Sequence, residues 1–264
     1  MSVVQRFPAA AGYRRQARRL RASLARLYWS ESRGAFLKYR PGSDVRPPRA
    51  RPDLIGQHEN FLFALLKVGT PAQRRRALRA VAGAAGRFLP DLGNYQNRSP
   101  AGAETFAGEN VILLGSPFWG FYALRALMEA GKVRQALDYM RLCWGLMLDN
   151  GATSCWEMWN HYTSQCHGWS AGPVMILPAY VLGVRPTALG FRRFEVRPRP
   201  GDLEWARGRV PTPLGPIDVS WERSGGKLSA EIAVPPGARA AFVPPGRGGR
   251  RTLGPGTHRL VAAE

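Results

Sequence analysis

One short segment of the chain combines side chains that could do chemistry with side chains that could bind a flat ligand. Residues 150–173 read NGATSCWEMWNHYTSQCHGWSAGP and contain one carboxylate, two histidines, two cysteines and three tryptophans. Glu157 stands between Trp156 and Trp159, and an aromatic wall can raise or fix the acidity of a carboxylate. Flat aromatic faces beside a carboxylate are also what a sugar-binding site needs. The segment therefore predicts a lined cleft.

The same residues have a purely structural interpretation as well. In that alternative the tryptophans pack in a protein core, and Glu157 pairs with one of the chain's many arginines. Both interpretations stay open on the sequence alone.

The segment also contains side chains that could hold a metal ion. Cys155, His161, Cys166 and His167 could be drawn as a zinc site, but their spacing shows no regular ligand pairing. The third cysteine, Cys143, leaves an odd number, and no Cys-x-x-Cys motif occurs. We therefore predict no metal, no cofactor and no disulfide framework, which is typical of a reduced compartment.

Helical patterns surround this segment and must position it. Apolar side chains recur at helical spacing, and Thr70-Pro71 and Ser116-Pro117 resemble helix starts with a capping residue followed by proline. The last helix contains Pro173 and Pro178, which should make it irregular. Helices are predicted over residues 13–29, 53–68, 70–89, 116–131, from 133 through 144, and 170–182.

From Gly190 the pattern changes to short apolar runs separated by Pro-Gly and Ser-Gly-Gly turns. Such runs predict an antiparallel β domain. The expected fold class is therefore α+β multidomain. Helical hairpins are expected over residues 1–186 and a C-terminal β-sandwich over 187–264.

The formal net charge of +20 would ordinarily suggest a nucleic-acid partner. The excess is almost all arginine and is scattered through the predicted helices, loops and strands, so we predict no nucleic-acid binding. No apolar run approaches the length of a membrane span, and the N-terminus lacks the pattern of a signal peptide. These features favour a cytoplasmic protein without a membrane partner.

Three stretches, in this order, carry a family resemblance. They are SPFWGFYALRALMEAGKVRQALDYMRLCWGLMLDNGATSCWEMW from Ser116, then SQCHGWSAGPVMILPAYVLGVRP, then GFRRFEVRPRPGDLEWARGRVPTPLGPIDVSWER. Together they resemble the C-terminal half of bacterial α-L-rhamnosidases of glycoside hydrolase family 78. Residues 28–34 and the QHENFLFALLKVG segment from Gln57 fit the preceding hairpins of that family. The resemblance implies a partial (α/α)₆ six-hairpin barrel followed by an antiparallel β-sandwich, and removal of terminal α-L-rhamnose from glycosides with inversion.

The resemblance also assigns roles to particular residues. The family's general base is the glutamate of a Gly-Ala-Thr-x-x-Trp-Glu motif, which falls on Glu157. A histidine that follows this motif lies at the rhamnose site, and the CHGWSAGP match puts it at His167. Substrate-binding side chains are then expected at Trp119, Trp156, Trp159, His161 and Trp169.

The sequence departs from the family in one respect that bears on function. The family's general acid belongs to an Asp-x-x-Arg-x-Glu-Arg motif, which does not occur in these 264 residues. We therefore expect a fragment, or one half of a split enzyme, that acts on a rhamnosyl glycoside and lacks its general acid. An upstream polypeptide that completes the barrel, or a homodimer, is expected to cover the helix faces that an incomplete barrel leaves unpartnered. The alternatives are a non-catalytic relative that binds rhamnosides or glycans, and a basic nucleic-acid-binding protein.

Overall fold

A computed structural model describes residues 10–42, 51–82, 106–107, 111–112, 114–159, 163–246 and 248–263. Residues Gly12–Pro173 form one compact unit, and the chain from Val174 onward belongs to a second. The first unit is helical and the second is built on β-strands. This is the order of elements that the sequence predicts.

The helix that begins at Pro71 follows its local capping signal, whereas Ser116 precedes the helix from Pro117 without a side-chain capping hydrogen bond. Thr70 Oγ1 accepts from the Gln73 N–H at 3.1 Å, while the Gln73 side chain accepts from the Thr70 N–H at 2.8 Å. This reciprocal pair is a capping box. The helices are α1 Ala10–Tyr28, α2 Gln57–Leu65, α3 Pro71–Ala82, α4 Pro117–Glu129 and α5 Val133–Asp149.

Helix α2 begins four residues later than the pattern from Asp53 predicts. The intervening Ile55–Gly56 forms strand β3, which pairs in parallel with β5, Val111–Ile112. Strand pairing satisfies backbone groups that a longer helix would have to satisfy within itself. The other short strands of this unit are β1 Trp29–Ser30, β2 Ala35–Phe36 and β4 Phe106–Ala107.

Two buried polar side chains of α2 tie the helical unit together. Gln57 donates to the Val81 carbonyl at 3.0 Å and accepts from the Leu114 N–H at 2.9 Å. Asn60 exchanges two hydrogen bonds with the backbone of Phe36, each at 2.9 Å. These bonds link α2 to α3, to β2 and to the segment that leads into α4.

The segment after the tryptophan-rich loop is irregular, as its two prolines predict. It runs from a 3₁₀ turn at Gly168–Ser170 through α6, Gly172–Ile176, into a π-helical turn at Leu177–Val181. Proline has no N–H to donate within a helix, so Pro178 favours this local change of hydrogen bonding.

The second unit contains two four-stranded sheets, with strand orders β13-β10-β9-β8 and β12-β11-β7-β6. All neighbouring strands in them are antiparallel except β7 and β11, which run parallel. The strands are β6 Val184–Pro186, β7 Arg193–Val196, β8 Trp205–Val210, β9 Ile217–Ser224, β10 Lys227–Val234, β11 Arg239–Phe242, β12 Arg251–Leu253 and β13 Gly256–Ala263.

Alternation along the strands separates a buried face from an exposed one. In β10, Leu228, Ala230, Ile232 and Val234 are buried, and the residues between them are more exposed. This alternation is expected for a sheet with one face in a core. Trp205 of β8 departs from the pattern of buried apolar residues, because 66% of its surface is exposed.

Candidate functional site

The loop between α5 and the 3₁₀ turn is held by hydrogen bonds between its two arms. The His167 N–H donates to the Cys155 carbonyl, and the Glu157 N–H donates to the Ser164 carbonyl, both at 2.8 Å. Ser154 Oγ also donates to the Gln165 carbonyl. The loop thus brings the backbones of Glu157 and His167, the two predicted catalytic residues, onto adjoining arms.

Trp159 anchors this loop in the core of the helical unit. Its indole N–H donates to the Leu114 carbonyl at 3.0 Å, and only 1% of its surface is exposed. Its ring lies 5.2 Å from Trp144 and 6.3 Å from Tyr139, both in edge-to-face geometry. Trp159 therefore offers no open ring face to a ligand in this structure, and it supports the loop from beneath.

The close packing beneath the loop depends on Gly120 of α4. A Cβ at that position would lie 2.9 Å from the Cη2 atom of Trp144 and 3.4 Å from Trp159. The Trp144 indole N–H donates to the Ser170 carbonyl at 2.8 Å. The second end of the loop is therefore anchored to the same buried cluster.

Trp156 is also buried, with 3% of its surface exposed. It borders a cavity of about 600 Å³, which is lined otherwise by polar and small residues of the loop, including Asn150, Thr153 and Gln165. Glu157 and His167 are not among the residues that line this cavity.

The Glu157 side chain is half-buried. Within the part of the chain that the structure describes, its carboxylate forms no ion pair and accepts no hydrogen bond. The purely structural interpretation therefore holds in one of its two parts. Trp156 and Trp159 pack in the core, but no described arginine pairs with Glu157.

A chain of aromatic contacts leads away from His167. Its ring lies 4.3 Å from the half-exposed Trp169, whose ring lies 5.5 Å from Phe118. Phe118 contacts Trp119 at 5.3 Å, and Trp119 contacts His58 edge-on at 5.1 Å. We call these five residues the aromatic row. The row brings together His167, Trp119 and Trp169 among the predicted site residues, whereas His161 lies outside the described residues.

His58 is a candidate site residue that the sequence analysis missed. Burial, with the nearby charge of Lys38 as a second cause, lowers the pKa of its imidazole to about 4. Its Nδ1 atom is buried and has no hydrogen-bond partner in the described residues, as is also true of His167 Nδ1. His58 is therefore neutral near pH 7 and able to donate or accept one hydrogen bond. In the sequence, His58 belongs to the QHEN segment, and no motif there indicates a functional role for the histidine.

Cysteine chemistry has little support near this loop. Burial raises the pKa of the Cys143 thiol to about 12 and also raises the pKa of Cys155. The thiolate is the nucleophilic form, so both shifts disfavour it.

The described ranges of the chain contain neither a metal-ligand cluster nor a membrane-spanning helix. No group of three or more His, Cys, Asp or Glu side chains there has an arrangement that could hold a metal ion. None of the described helices is both long and apolar enough to cross a bilayer.

Two family descriptions match consecutive parts of the chain. Residues 113–181 match the bacterial alpha-L-rhamnosidase 6 hairpin glycosidase domain, and residues 183–259 match the bacterial alpha-L-rhamnosidase C-terminal domain. The domain boundary at 186–187 remains a prediction.

Related sequences carry the same name. An alpha-L-rhamnosidase of Alteromonas sp. (strain LOR) is 34% identical over 136 residues, covering 45% of this chain and 15% of that protein. An alpha-L-rhamnosidase of Streptomyces avermitilis is 30% identical over 112 residues, covering 37% of this chain and 11% of that protein. The chain thus spans less than a fifth of the length of these relatives.

Solved structures agree in fold. The GH78 family rhamnosidase of Bacillus sp. GL1 has a TM-score of 0.69 and 29% identity, covering 89% of this chain and 23% of that one. An alpha-L-rhamnosidase from Dictyoglumus thermophilum has a TM-score of 0.68 and 16% identity over 97% of this chain and 29% of that one, a likeness of fold alone.

These matches confirm the predicted fold class, a partial (α/α)₆ six-hairpin barrel followed by a β-sandwich. They also confirm the resemblance drawn from the sequence, in the same order of domains. Over residues 113–259, the chain therefore belongs to the bacterial α-L-rhamnosidases of glycoside hydrolase family 78.

Proposed function

We propose that this chain carries the general-base side of an α-L-rhamnosidase site, with Glu157 as the base. The observation that carries the proposal is a half-buried carboxylate without a described partner, on a loop anchored to a buried tryptophan cluster. A carboxylate that is already paired would have to break that pair before it could accept a proton. The Glu157 carboxylate has no partner among the described residues, so it can accept a proton without first breaking such a pair.

The proposed reaction is hydrolysis of a terminal α-L-rhamnoside with inversion. Glu157 removes a proton from a water molecule, whose oxygen attacks the anomeric carbon from the face opposite the leaving group. The bond from that carbon to the aglycone oxygen breaks, and a second carboxyl group gives a proton to this oxygen. In inverting enzymes the two carboxyl groups stand about 6.5–9.5 Å apart, which leaves room for the water.

His167 and Trp169 are the proposed sugar-contacting groups. Trp169 is 51% exposed and lies beside His167 at 4.3 Å between ring centroids. The apolar face of a pyranose ring can stack on an exposed indole, and an imidazole can bond a hydroxyl group. Trp119 and His58 extend the same aromatic row and are proposed to border the substrate.

The general acid is proposed to come from residues outside these 264. The Asp-x-x-Arg-x-Glu-Arg motif does not occur in the sequence, and the matched relatives are several times longer. A preceding segment or a separate polypeptide could supply it. General acid catalysis contributes about 10²–10⁴-fold, so the chain by itself should be slow on ordinary rhamnosides.

The same missing motif favours a second candidate, a rhamnoside-binding protein without catalysis. The two proposals differ in the effect of leaving-group ability. An activated aryl rhamnoside needs little acid assistance, so a base alone should cleave it slowly, whereas a binding protein should not cleave it at all.

The test is the release of 2,4-dinitrophenolate from 2,4-dinitrophenyl α-L-rhamnoside by the full chain. We expect slow turnover that Glu157→Gln abolishes, because the amide keeps the shape of the side chain but cannot accept the proton. Glu204→Gln, at an exposed glutamate of the second unit, is the matched control and should leave the rate unchanged. Saturable rhamnose binding without any turnover would favour the binding protein instead.

A further inference from the structure

The exposed face of the sheet β13-β10-β9-β8 carries a cavity of about 810 Å³. It lies within the unit that begins at Val174, which does not contain Glu157. Its outward-facing lining combines one aromatic ring and one aliphatic side chain, Val261, with charged and hydroxyl side chains. We call this surface the Trp205 face, and its main side chains are Trp205, Arg207, Glu222, Ser229, Glu231 and Arg259.

Strand register arranges these side chains in two neighbouring rows. In the first row Trp205 lies opposite Glu222, and Glu222 lies opposite Ser229. The second row is Arg207, Ser220, Glu231 and Arg259 in the same strand order. Residues two apart on a strand point to the same side and are separated by about 6.6–6.8 Å. The two rows are separated by this distance, so one pyranose ring can contact both.

Trp205 is the unusual member of the face. It is 66% exposed, whereas Trp221 opposite its neighbour Ala206 is 2% exposed and donates its indole N–H to the Val181 carbonyl at 3.0 Å. A large aromatic ring left in water on a regular strand gains little for the fold, since burial of such a ring stabilises the folded state.

Two polar groups beside Trp205 are free to bind. Neither the Arg207 guanidinium nor the Glu222 carboxylate has a side-chain partner among the described residues. Glu231 and Arg259, in contrast, form an ion pair with a distance of 2.7 Å from Oε2 to Nε. A free donor and a free acceptor thus flank the ring.

Charge balance on the face points to a neutral ligand. Its lining contains two arginines and two glutamates, although the whole chain has a net charge of +20. The face itself therefore lacks the excess of positive charge that an anionic polymer needs. Trp205 and Val261 are the exposed apolar side chains of the lining, whereas a protein interaction site is usually marked by a larger contiguous apolar patch.

We propose that the Trp205 face is a second saccharide-binding site, which holds a neutral pyranoside stacked on Trp205 with its hydroxyl groups bonded to Glu222 and Arg207. Guanidinium and carboxylate groups bond vicinal hydroxyls in pairs, and the cavity volume falls in the range of about 300–1,000 Å³ found for small-ligand sites. This site is independent of the proposed catalysis at Glu157, and it binds sugar without cleaving it.

The experiment is a titration of the full chain, labelled with 5-fluorotryptophan, with methyl α-L-rhamnopyranoside. The chain has eight tryptophans, and the ¹⁹F resonance that is missing from Trp205→Phe identifies Trp205. That resonance should shift saturably with millimolar sugar. Arg207→Ala should weaken binding at this site roughly tenfold or more, measured as the sugar concentration at the midpoint of the Trp205 shift.

Arg209→Ala is the matched control, because Arg209 lies on the same strand and face but pairs with Asp218 at 2.6 Å and does not line the cavity. It should give the same midpoint as the parent chain. An unmoved Trp205 resonance, or an unchanged midpoint in Arg207→Ala, would overturn the proposal. So would tight binding of a heparin fragment or a hydrophobic peptide at Trp205 without binding of the sugar. Failure at Trp205 with normal turnover at Glu157 would leave the proposed catalysis standing.

Discussion

The indole N–H of Trp159 donates to the carbonyl oxygen of Leu114 at 3.0 Å across 45 positions of sequence. This bond connects the loop that carries Glu157 to the segment that leads into helix α4. Both groups are buried, so the position of the loop depends on a contact that water does not replace. The consequences can be measured.

Replacing Trp159 by Phe should destabilise the helical unit by about 2–4 kcal/mol, because the Leu114 carbonyl loses its donor and the core loses volume. The measurement is urea unfolding followed by circular dichroism. Trp169→Phe, at a half-exposed site in the same loop region, should change the free energy of unfolding by less than about 0.5 kcal/mol. Equal effects of the two substitutions would show that Trp159 is not an anchor.

Gly120 and Gly145 form a second matched pair, since both lie inside helices. Gly120→Ala places a Cβ 2.9 Å from Trp144 Cη2 and should destabilise the chain by about 1–3 kcal/mol through overpacking. Gly145→Ala meets no atom within 4 Å and should be neutral or stabilising by up to about 1 kcal/mol. Thermal unfolding of both variants provides the test. A stabilised Gly120→Ala variant would contradict the close packing of α4 against the tryptophan cluster.

His58 should make stability depend on pH. The folded-state pKa is about 4 and the ordinary value is 6.5, so the unfolded chain binds the proton first as pH falls. The contribution of His58 is fully present above about pH 6.5 and is lost progressively between pH 6.5 and 4. The free energy of unfolding of the parent chain should decrease between pH 7.5 and 5, and in His58→Phe this decrease should be smaller by on the order of 1–2 kcal/mol.

The direct check is an NMR titration of the His58 ring protons, whose midpoint should lie near pH 4. A midpoint near 6.5 would show that the imidazole is solvated. A normal midpoint would also remove the argument that His58 is a neutral hydrogen-bonding group beside Trp119.

The basic charge should not give tight binding to nucleic acid. The densest basic stripe is on α1, where Arg14, Arg15, Arg18 and Arg19 are all exposed. On random duplex DNA at physiological salt we expect dissociation constants no tighter than the 10⁻⁴–10⁻⁶ M or so of non-specific binders. Sub-micromolar affinity with a steep salt dependence, reduced when these four residues become glutamine, would contradict this prediction.

Local chemistry explains which elements were predictable from sequence. The capping pair of Thr70 and Gln73 and the two prolines of residues 173–178 act on their own neighbours, so they could be interpreted without a structure. The start of α2 could not be predicted as accurately, because Ile55–Gly56 pairs with a strand more than fifty residues away. Parallel pairing of β7 with β11 has the same non-local origin.

In the candidate site, too, some features follow from local sequence and others depend on distant contacts. Trp159 and Trp169 are the same residue type ten positions apart, yet one is 1% exposed and the other 51%. Only the packing of α4 and α5 decides between them. His58 joins the aromatic row through Trp119, a contact across 61 positions, and no local pattern indicates it. The apolar residues around Trp205 predict a buried position for it. Its exposure depends on which face of the sheet its side chain occupies.

The central claim is that Glu157 acts as a general base, and chemical rescue tests it most directly. Azide is a nucleophile that needs no deprotonation, so it can replace the activated water when the base is absent. With 2,4-dinitrophenyl α-L-rhamnoside, Glu157→Ala should be inactive in buffer and should regain turnover with azide, with inverted β-L-rhamnosyl azide as the product. Undiminished hydrolysis by Glu157→Ala without azide, or a rescued product with retained configuration, would contradict the assignment of Glu157.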